Sequence, residues 1–213
     1  MRIGWDISHL EFTIEDHYYF SILKDVLLRY AVIEEVDSLE QIVEYDVFVI
    51  NYPEEPFSDS DINIIGHFLR GGGRVIMLGY YRNEDSVADN INTLSERFGI
   101  RINADLVIDE KNNHGGDKLF IVTSRIHQYD RSVRRVLMPC TASLSMLDDR
   151  CNIIVRGEDT ARTSSGNEPI LAASSTVGRG EIIVVGTCVF WDNYSIEKYD
   201  NLTFALNLLL GRK

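Results

Sequence analysis

The chain is short of cysteine, of basic residues and of long apolar runs, and each shortage removes a class of protein. Its three cysteines, Cys140, Cys151 and Cys188, show none of the paired spacings of zinc sites or redox motifs, so reduced thiols are expected. No apolar run reaches the roughly 18–20 residues that a membrane-spanning helix needs, so no membrane insertion is expected. Against 33 Asp and Glu stand only 21 Lys and Arg, a formal charge of −12. Such a field repels nucleic acid, whose phosphates are held by clustered basic side chains. The one basic cluster, Arg131, Arg134 and Arg135, reads as a solvated face. Met1-Arg2 runs straight into an apolar strand with no room for a signal peptide, so a cytoplasmic protein is expected.

What remains is an ordinary globular composition, 45% hydrophobic over 213 residues, a length that suits one α/β domain with an extra lobe. Residues 2–6 form a first strand. Thr13 with Asp16 three residues on resembles a capping box, and the helix it opens carries Ile14, Tyr18, Ile22, Leu23, Val26, Leu27 and Tyr30 at helical spacing. Strands follow at 32–36 and 45–51, with a short helix capped by Ser38 between them. Ser58 caps a helix with Ile62, Ile65 and Leu69 on one face, ended by Gly71-Gly72-Gly73, and a strand at 74–78 stops at Gly79. The alternation predicts a doubly wound, flavodoxin-like parallel α/β sheet.

The middle of the chain reads differently. After a helix ending at Phe98-Gly99 come short β-like pieces around 106–108, 119–123, 136–138, 143–147 and 152–155, then a strand at 169–173. Polar loops lie at 111–117 (KNNHGGD) and 157–167. Residues 100–175 are therefore expected to be a β-rich inserted subdomain within a single domain spanning 1–213, because the sheet resumes at Glu181. The strand 181–185 opens into Gly186-Thr187-Cys188 and Trp191-Asp192-Asn193, and in an open α/β sheet ligands sit outside the carboxyl ends of such strands.

Residues IGWDISHLEF and YDVFVINYPEEPFSDSDINIIGHFLRGGGRVIMLG, with Asn90-Ile91-Asn92, Phe98-Gly99-Ile100, the His127 segment, Asp192-Asn193, Asp200-Asn201 and Phe204-Ala205-Leu206-Asn207, carry a resemblance across nearly the whole chain. It resembles the divergent branch of the class I glutamine amidotransferase-like fold. That branch includes uncharacterised prokaryotic proteins, the amidotransferase-like domain of an intraflagellar transport subunit, and auxiliary proteins of ABC transport and gliding systems. Catalytic members place a cysteine on a strained turn after the strand ending here at Leu78, and pair it with His and Glu beyond a later strand. This chain has Gly79-Tyr80-Tyr81-Arg82 at the first position and no histidine in Cys188-Val189-Phe190-Trp191-Asp192 at the second. A thiolate nucleophile needs both the sulfur and an oriented base, so glutaminase activity is not expected.

Asp6, Ser8, His9 and Glu11 follow the first strand on the carboxyl-end side of the sheet and are expected to converge with Tyr80, Cys188 and Asp192. Acid, hydroxyl and imidazole in one cleft suit general acid–base chemistry; the plainer reading has Asp6 and Ser8 bonding turn amides while His9 fills a polar gap. Asp6, His9 and Glu11, with Asp16 or His17 added, are metal-ligand types, but their spacing matches no standard set and the sequence assigns no metal. Cys188 reads either as a displaced nucleophile with His9 as base or as a small buried hydrophobe. No cofactor is expected: SHLEFTIED points Glu11, Glu15 and Asp16 where a phosphate would sit, and Gly71-Gly72-Gly73 ends a helix rather than opening one. The reading is a non-catalytic module binding a small ligand or protein partner through Asp6, Ser8, His9, Glu11, Tyr80, Cys188 and Asp192. The alternative is a hydrolase using Asp6 and His9, with or without a metal. A scaffold that only forms a homodimer would instead show a large symmetric interface and no pocket.

Overall fold

A computed structural model describes residues 1–164, 166–167 and 169–211. The N-terminal third alternates strand and helix: β1 (Arg2–Asp6), α1 (His17–Leu27), β2 (Val32–Val36), β3 (Val47–Asn51), α2 (Asp59–Gly71) and β4 (Arg74–Leu78). A 3-10 helix, Leu39–Glu44, bridges β2 and β3. Every residue of β3 is buried, as the unbroken apolar run VFVIN requires of a central parallel strand.

The helix ends follow local chemistry. Asp16, not Thr13, caps α1, its carboxylate accepting from the amides of Tyr18 and Tyr19. That start turns Phe20, Leu23 and Leu27 to the core and leaves Tyr18 and Tyr30 outside, so the buried face differs from the expected one. Ser58 and Asp61 form a reciprocal capping box at the start of α2, and Gly72 closes that helix at φ 111°, a conformation open to glycine. Ser38 precedes the 3-10 helix but makes no capping bond.

The chain continues through α3 (Val87–Ser95), β5 (Ile100–Ile102), β6 (Asn113–His114), β7 (Asp117–Thr123), β8 (Val136–Pro139), β9 (Leu144–Met146), β10 (Cys151–Arg156), β11 (Arg162–Thr163), β12 (Gly166–Asn167), β13 (Ile170–Val177), β14 (Gly180–Val185) and α4 (Asn201–Leu210). The expected strand at 106–108 is reduced to one bridge between Ile108 and Arg162, because Asp105 is spent on Ser143 and Asp109 on the amides of Lys111 and Asn112. Gly115 and Gly116, both at positive φ, make the two-residue turn from β6 to β7 inside the polar loop.

The fold is mixed α/β around one large sheet. Five parallel strands lie in the order β2-β1-β3-β4-β14; β13 then pairs antiparallel with β14, and β9, β5 and β10 extend the sheet beyond it. Much of the 100–175 segment thus continues the main sheet, while β6, β7 and β8 form a separate three-stranded sheet. Asn201 at the start of α4 fastens that small sheet: it accepts from the Leu137 amide at 2.8 Å and donates to the carbonyls of Leu137 at 2.9 Å and Phe190 at 2.7 Å. No helix among the described residues is long and apolar enough to cross a membrane.

Candidate functional site

The carboxyl ends of β1, β3, β4 and β14 meet on one side of the sheet, and the seven singled-out residues all lie on the segments that leave these strands. The structure divides them between two neighbouring places rather than one cleft.

The first is a buried polar knot in the loop after β1. The Asp6 carboxylate accepts from the Ser8 amide at 3.1 Å and the Ser8 hydroxyl at 2.7 Å through Oδ1, while Oδ2 lies 3.2 Å from His9 Nδ1. Ser8 Oγ is itself 2.9 Å from His9 Nδ1. Glu11 accepts from the His9 amide through Oε2 at 2.8 Å, and its Oε1 lies 3.7 Å from His9 Nδ1. Leu10 makes this return possible by adopting φ 58°, a left-handed backbone rare for leucine. Phe57 covers the imidazole with ring centroids 4.2 Å apart, and the His9 carbonyl accepts from the amides of Glu54 and Glu55.

Electrostatics in the knot follow from burial and crowding. Burial, then the neighbouring Asp6 charge, push the Glu11 carboxyl up to about 9. Burial disfavours the His9 imidazolium, but the hydrogen bond and charge of Asp6, joined by Asp61, outweigh it and raise its pKa. Asp6 and Glu11 pair with no Lys or Arg among the described residues; His9 is their one basic neighbour.

The second place is an aromatic pocket of about 240 Å³, lined by Phe12, Tyr19, Phe20, Tyr52, Tyr80, Cys188, Val189 and Asp192. Tyr80, Cys188 and Asp192 are the three predicted residues it contains. Asp6, Ser8, His9 and Glu11 do not line it. Phe12, the next residue after Glu11, is pinned by its backbone, donating to the Asn51 carbonyl at 3.0 Å and accepting from Trp5 Nε1 at 2.8 Å. Its ring stacks on Tyr52 at 4.7 Å, and Tyr52 meets Tyr80 edge-on at 5.7 Å. The Tyr52 hydroxyl donates to Asp85 at 2.8 Å, in a turn where Arg82, Asn83, Asp85 and Ser86 all hold positive φ.

Cys188 is buried, and burial followed by the Asp192 charge raises its thiol pKa, the reverse of what a nucleophile needs. Asp192 accepts from the Ser195 amide at 2.9 Å, yet burial outweighs this and raises its pKa. No histidine lines the pocket. Sequence reasoning missed Phe12, Tyr19 and Tyr52; the cluster of aromatics at strand ends in SHLEFTIEDHYYF and NYPEEPF was the available signal.

Comparison with known proteins places these features in a group. Residues 5–115 match the family model described as the IFT52 GIFT domain. An uncharacterised protein of Aquifex aeolicus (strain VF5) is 47% identical, the match covering 98% of this chain and 93% of that one. The solved mmIFT52 N-terminal domain superposes with a TM-score of 0.83 at 18% identity, covering 98% of this chain and 96% of the other. A cytoplasmic protein of Salmonella typhimurium LT2, STM1381, gives 0.57 at 12% identity over the full length of both chains. At these identities the structural likenesses show fold alone.

Proposed function

The chain belongs to the IFT52 GIFT domain family, and from that premise we propose that it is a non-catalytic binding module whose aromatic pocket receives an apolar or aromatic side chain of a protein partner. One observation carries this reading: the pocket at the carboxyl ends of the parallel strands is walled by Phe12, Tyr19, Tyr52 and Tyr80, and the thiol that lines it is buried with no histidine among the lining residues. Aromatic, rigid and partly open walls of this kind are what protein interfaces use as anchor points. Exposed Leu10, Tyr18 and Tyr194 add apolar surface around the same end of the molecule, where Asn193 donates to the carbonyls of His17 and Tyr18 at the start of α1.

The finer fold reading is a flavodoxin-like sheet of amidotransferase-like descent. The parallel order 2-1-3-4-5, counting β14 as fifth, supports it. A single folded unit over 1–213 is supported by one hydrophobic cluster running from Ile3 to Leu209. The hydrolase alternative has less support, because His9 faces Asp6 and Ser8 under Phe57 instead of the pocket.

The test is a titration of isotope-labelled protein with p-cresol, toluene and indole, mimics of Tyr, Phe and Trp side chains, followed by amide chemical shifts. Saturable shifts are expected at the pocket residues and are expected to vanish in Val189→Trp, which fills the space. Scattered, non-saturating shifts, or ammonia release from glutamine by the protein, would sink the reading.

A further inference from the structure

In the knot after β1, Asp6 and Glu11 each have one carboxyl oxygen fixed by a neighbour and the other turned toward His9 Nδ1. Asp6 Oδ1 is held by the amide and hydroxyl of Ser8, leaving Oδ2. Glu11 Oε2 is held by the His9 amide, leaving Oε1, which has no hydrogen-bond partner although the side chain is fully buried. His9 turns Nδ1 toward both acids, with Ser8 Oγ also 2.9 Å from it, while Nε2 lies 3.7 Å from Asp61 Oδ2.

The geometry points to a site for one divalent first-row transition cation, held by Asp6 Oδ2, His9 Nδ1 and Glu11 Oε1. One ligand atom from each of the three residues falls within 4.8 Å of those of the other two. The His9–Asp6 and His9–Glu11 separations, 3.2 and 3.7 Å, bracket the ligand–ligand edge of about 3.3 Å in a tetrahedron with bonds of about 2.0–2.1 Å. Imidazole nitrogen with two carboxylate oxygens suits zinc or manganese better than calcium, which takes six or more oxygens.

Charge argues in the same direction. The Asp6 and Glu11 carboxyl groups lie side by side out of water, and among the described residues no Lys or Arg pairs with either. An isolated buried carboxylate is costly, and a coordinated cation is one of the few arrangements that offsets that cost. The outer partners are also those of a metal centre: a carboxylate near the second ring nitrogen of the histidine and donors on the second oxygen of each acid. Asp6, His9 and Glu11 are all buried, with Phe57 over the imidazole, so an ion held by these three ligands would fasten the β1–α1 loop and keep its fourth position for a water or for Ser8 Oγ, 2.9 Å from His9 Nδ1. The inference is independent of the pocket, since none of its three ligands lines it.

The experiment uses the full chain purified without chelator, its metal content read by mass spectrometry. The chelator-stripped protein is then titrated calorimetrically with Zn²⁺ alone and, separately, with Mn²⁺ alone. One ion per chain is expected, with a rise in melting temperature on loading. Glu11→Gln and Asp6→Asn keep side-chain size and hydrogen bonding, so both are expected to fold, checked by circular dichroism, and to lose the ion. Asp61→Asn, at an outer partner, is expected to weaken binding by roughly 10–100-fold, and the ligand substitutions by more. Absence of stoichiometric binding by the wild-type chain, or binding that Glu11→Gln and Asp6→Asn leave unchanged, overturns the proposal. The second result would assign the ion to surface groups.

Discussion

Phe12 and Tyr52 stack with ring centroids 4.7 Å apart and planes 19° from parallel, joining the loop after β1 to the residue that follows β3. The pair forms part of the pocket wall, and Phe12 directly follows the last residue of the buried knot. Tyr52 holds φ 66° to present its ring, so the contact is built on an uncommon backbone conformation at one end and on pinned amides at the other.

Phe12→Ala is therefore expected to cost about 1–2 kcal/mol, less than a core phenylalanine because the residue is 36% exposed. Urea denaturation should show a lower midpoint with an unchanged slope, and the variant should no longer give saturable shifts with p-cresol. Retained stability together with retained p-cresol shifts would show that the stack neither fastens the loop nor forms the binding wall.

The thiols test the absence of a nucleophile. Cys188 is buried and its pKa raised by burial and Asp192, whereas Cys140 and Cys151 are half-buried. Under native conditions iodoacetamide is expected to modify Cys140 or Cys151 well before Cys188, and peptide mass mapping reads the order. Preferential labelling of Cys188 would mean an accessible, activated thiol in the pocket and would reopen the enzyme reading.

Periodicity in the sequence sufficed for the parallel half, because its strands are continuous apolar runs such as VFVIN and EIIVV bounded by Ser58, the Gly71–Gly73 run and Gly79. The same logic could not decide how 100–175 pairs. β9 has three residues and meets β13 at a single register position, Ile170 opposite Leu144, so its placement depends on tertiary contacts. At the site, strand-end position indicated which residues gather at one side of the sheet. It could not separate the knot from the pocket, because that division depends on Leu10 turning left-handed and on Phe12 being tied to Asn51 and Trp5. Leucine at positive φ has no sequence signature. The expected capping residue failed for a similar reason: Thr13 accepts from the Glu15 amide and leaves Asp16 to cap the helix.

Asp192 sets a pH dependence. Burial raises its pKa above the ordinary carboxylate value despite the Ser195 amide. Between the unfolded and folded values the native chain holds the proton more tightly, so this residue's contribution to stability declines as pH rises through that window. Asp192→Asn keeps an acceptor for Ser195 and removes the ionisation. The melting-temperature difference, variant minus wild type, is expected to become more positive from pH 3 to pH 7. A flat or opposite trend would show that the buried carboxylate is compensated in the native state.

The junction between α2 and β14 offers the strictest test of the sheet order. Gly180 opens β14 beside the end of α2, and a β-carbon there would lie 2.2 Å from the Gly73 carbonyl oxygen and 2.3 Å from that of Leu69. Both obstacles are backbone, so no side-chain rotation relieves them, and the Glu181 amide already donates to the same Gly73 carbonyl at 3.2 Å. Gly180→Ala is expected to lose about 3 kcal/mol or more, as overpacking against fixed atoms does in its severe cases. Gly71, two residues before Gly73, has nothing within 4 Å of the same added atom and no positive φ. Gly71→Ala is expected to gain about 0.4–1 kcal/mol by narrowing the unfolded ensemble. The two changes add the same methyl group on either side of one junction, so opposite signs in paired denaturation curves report the close seating of β14 against the α2–β4 turn. If both variants shift equally, β14 does not lie beside β4 as described, and the pocket at its carboxyl end loses its frame.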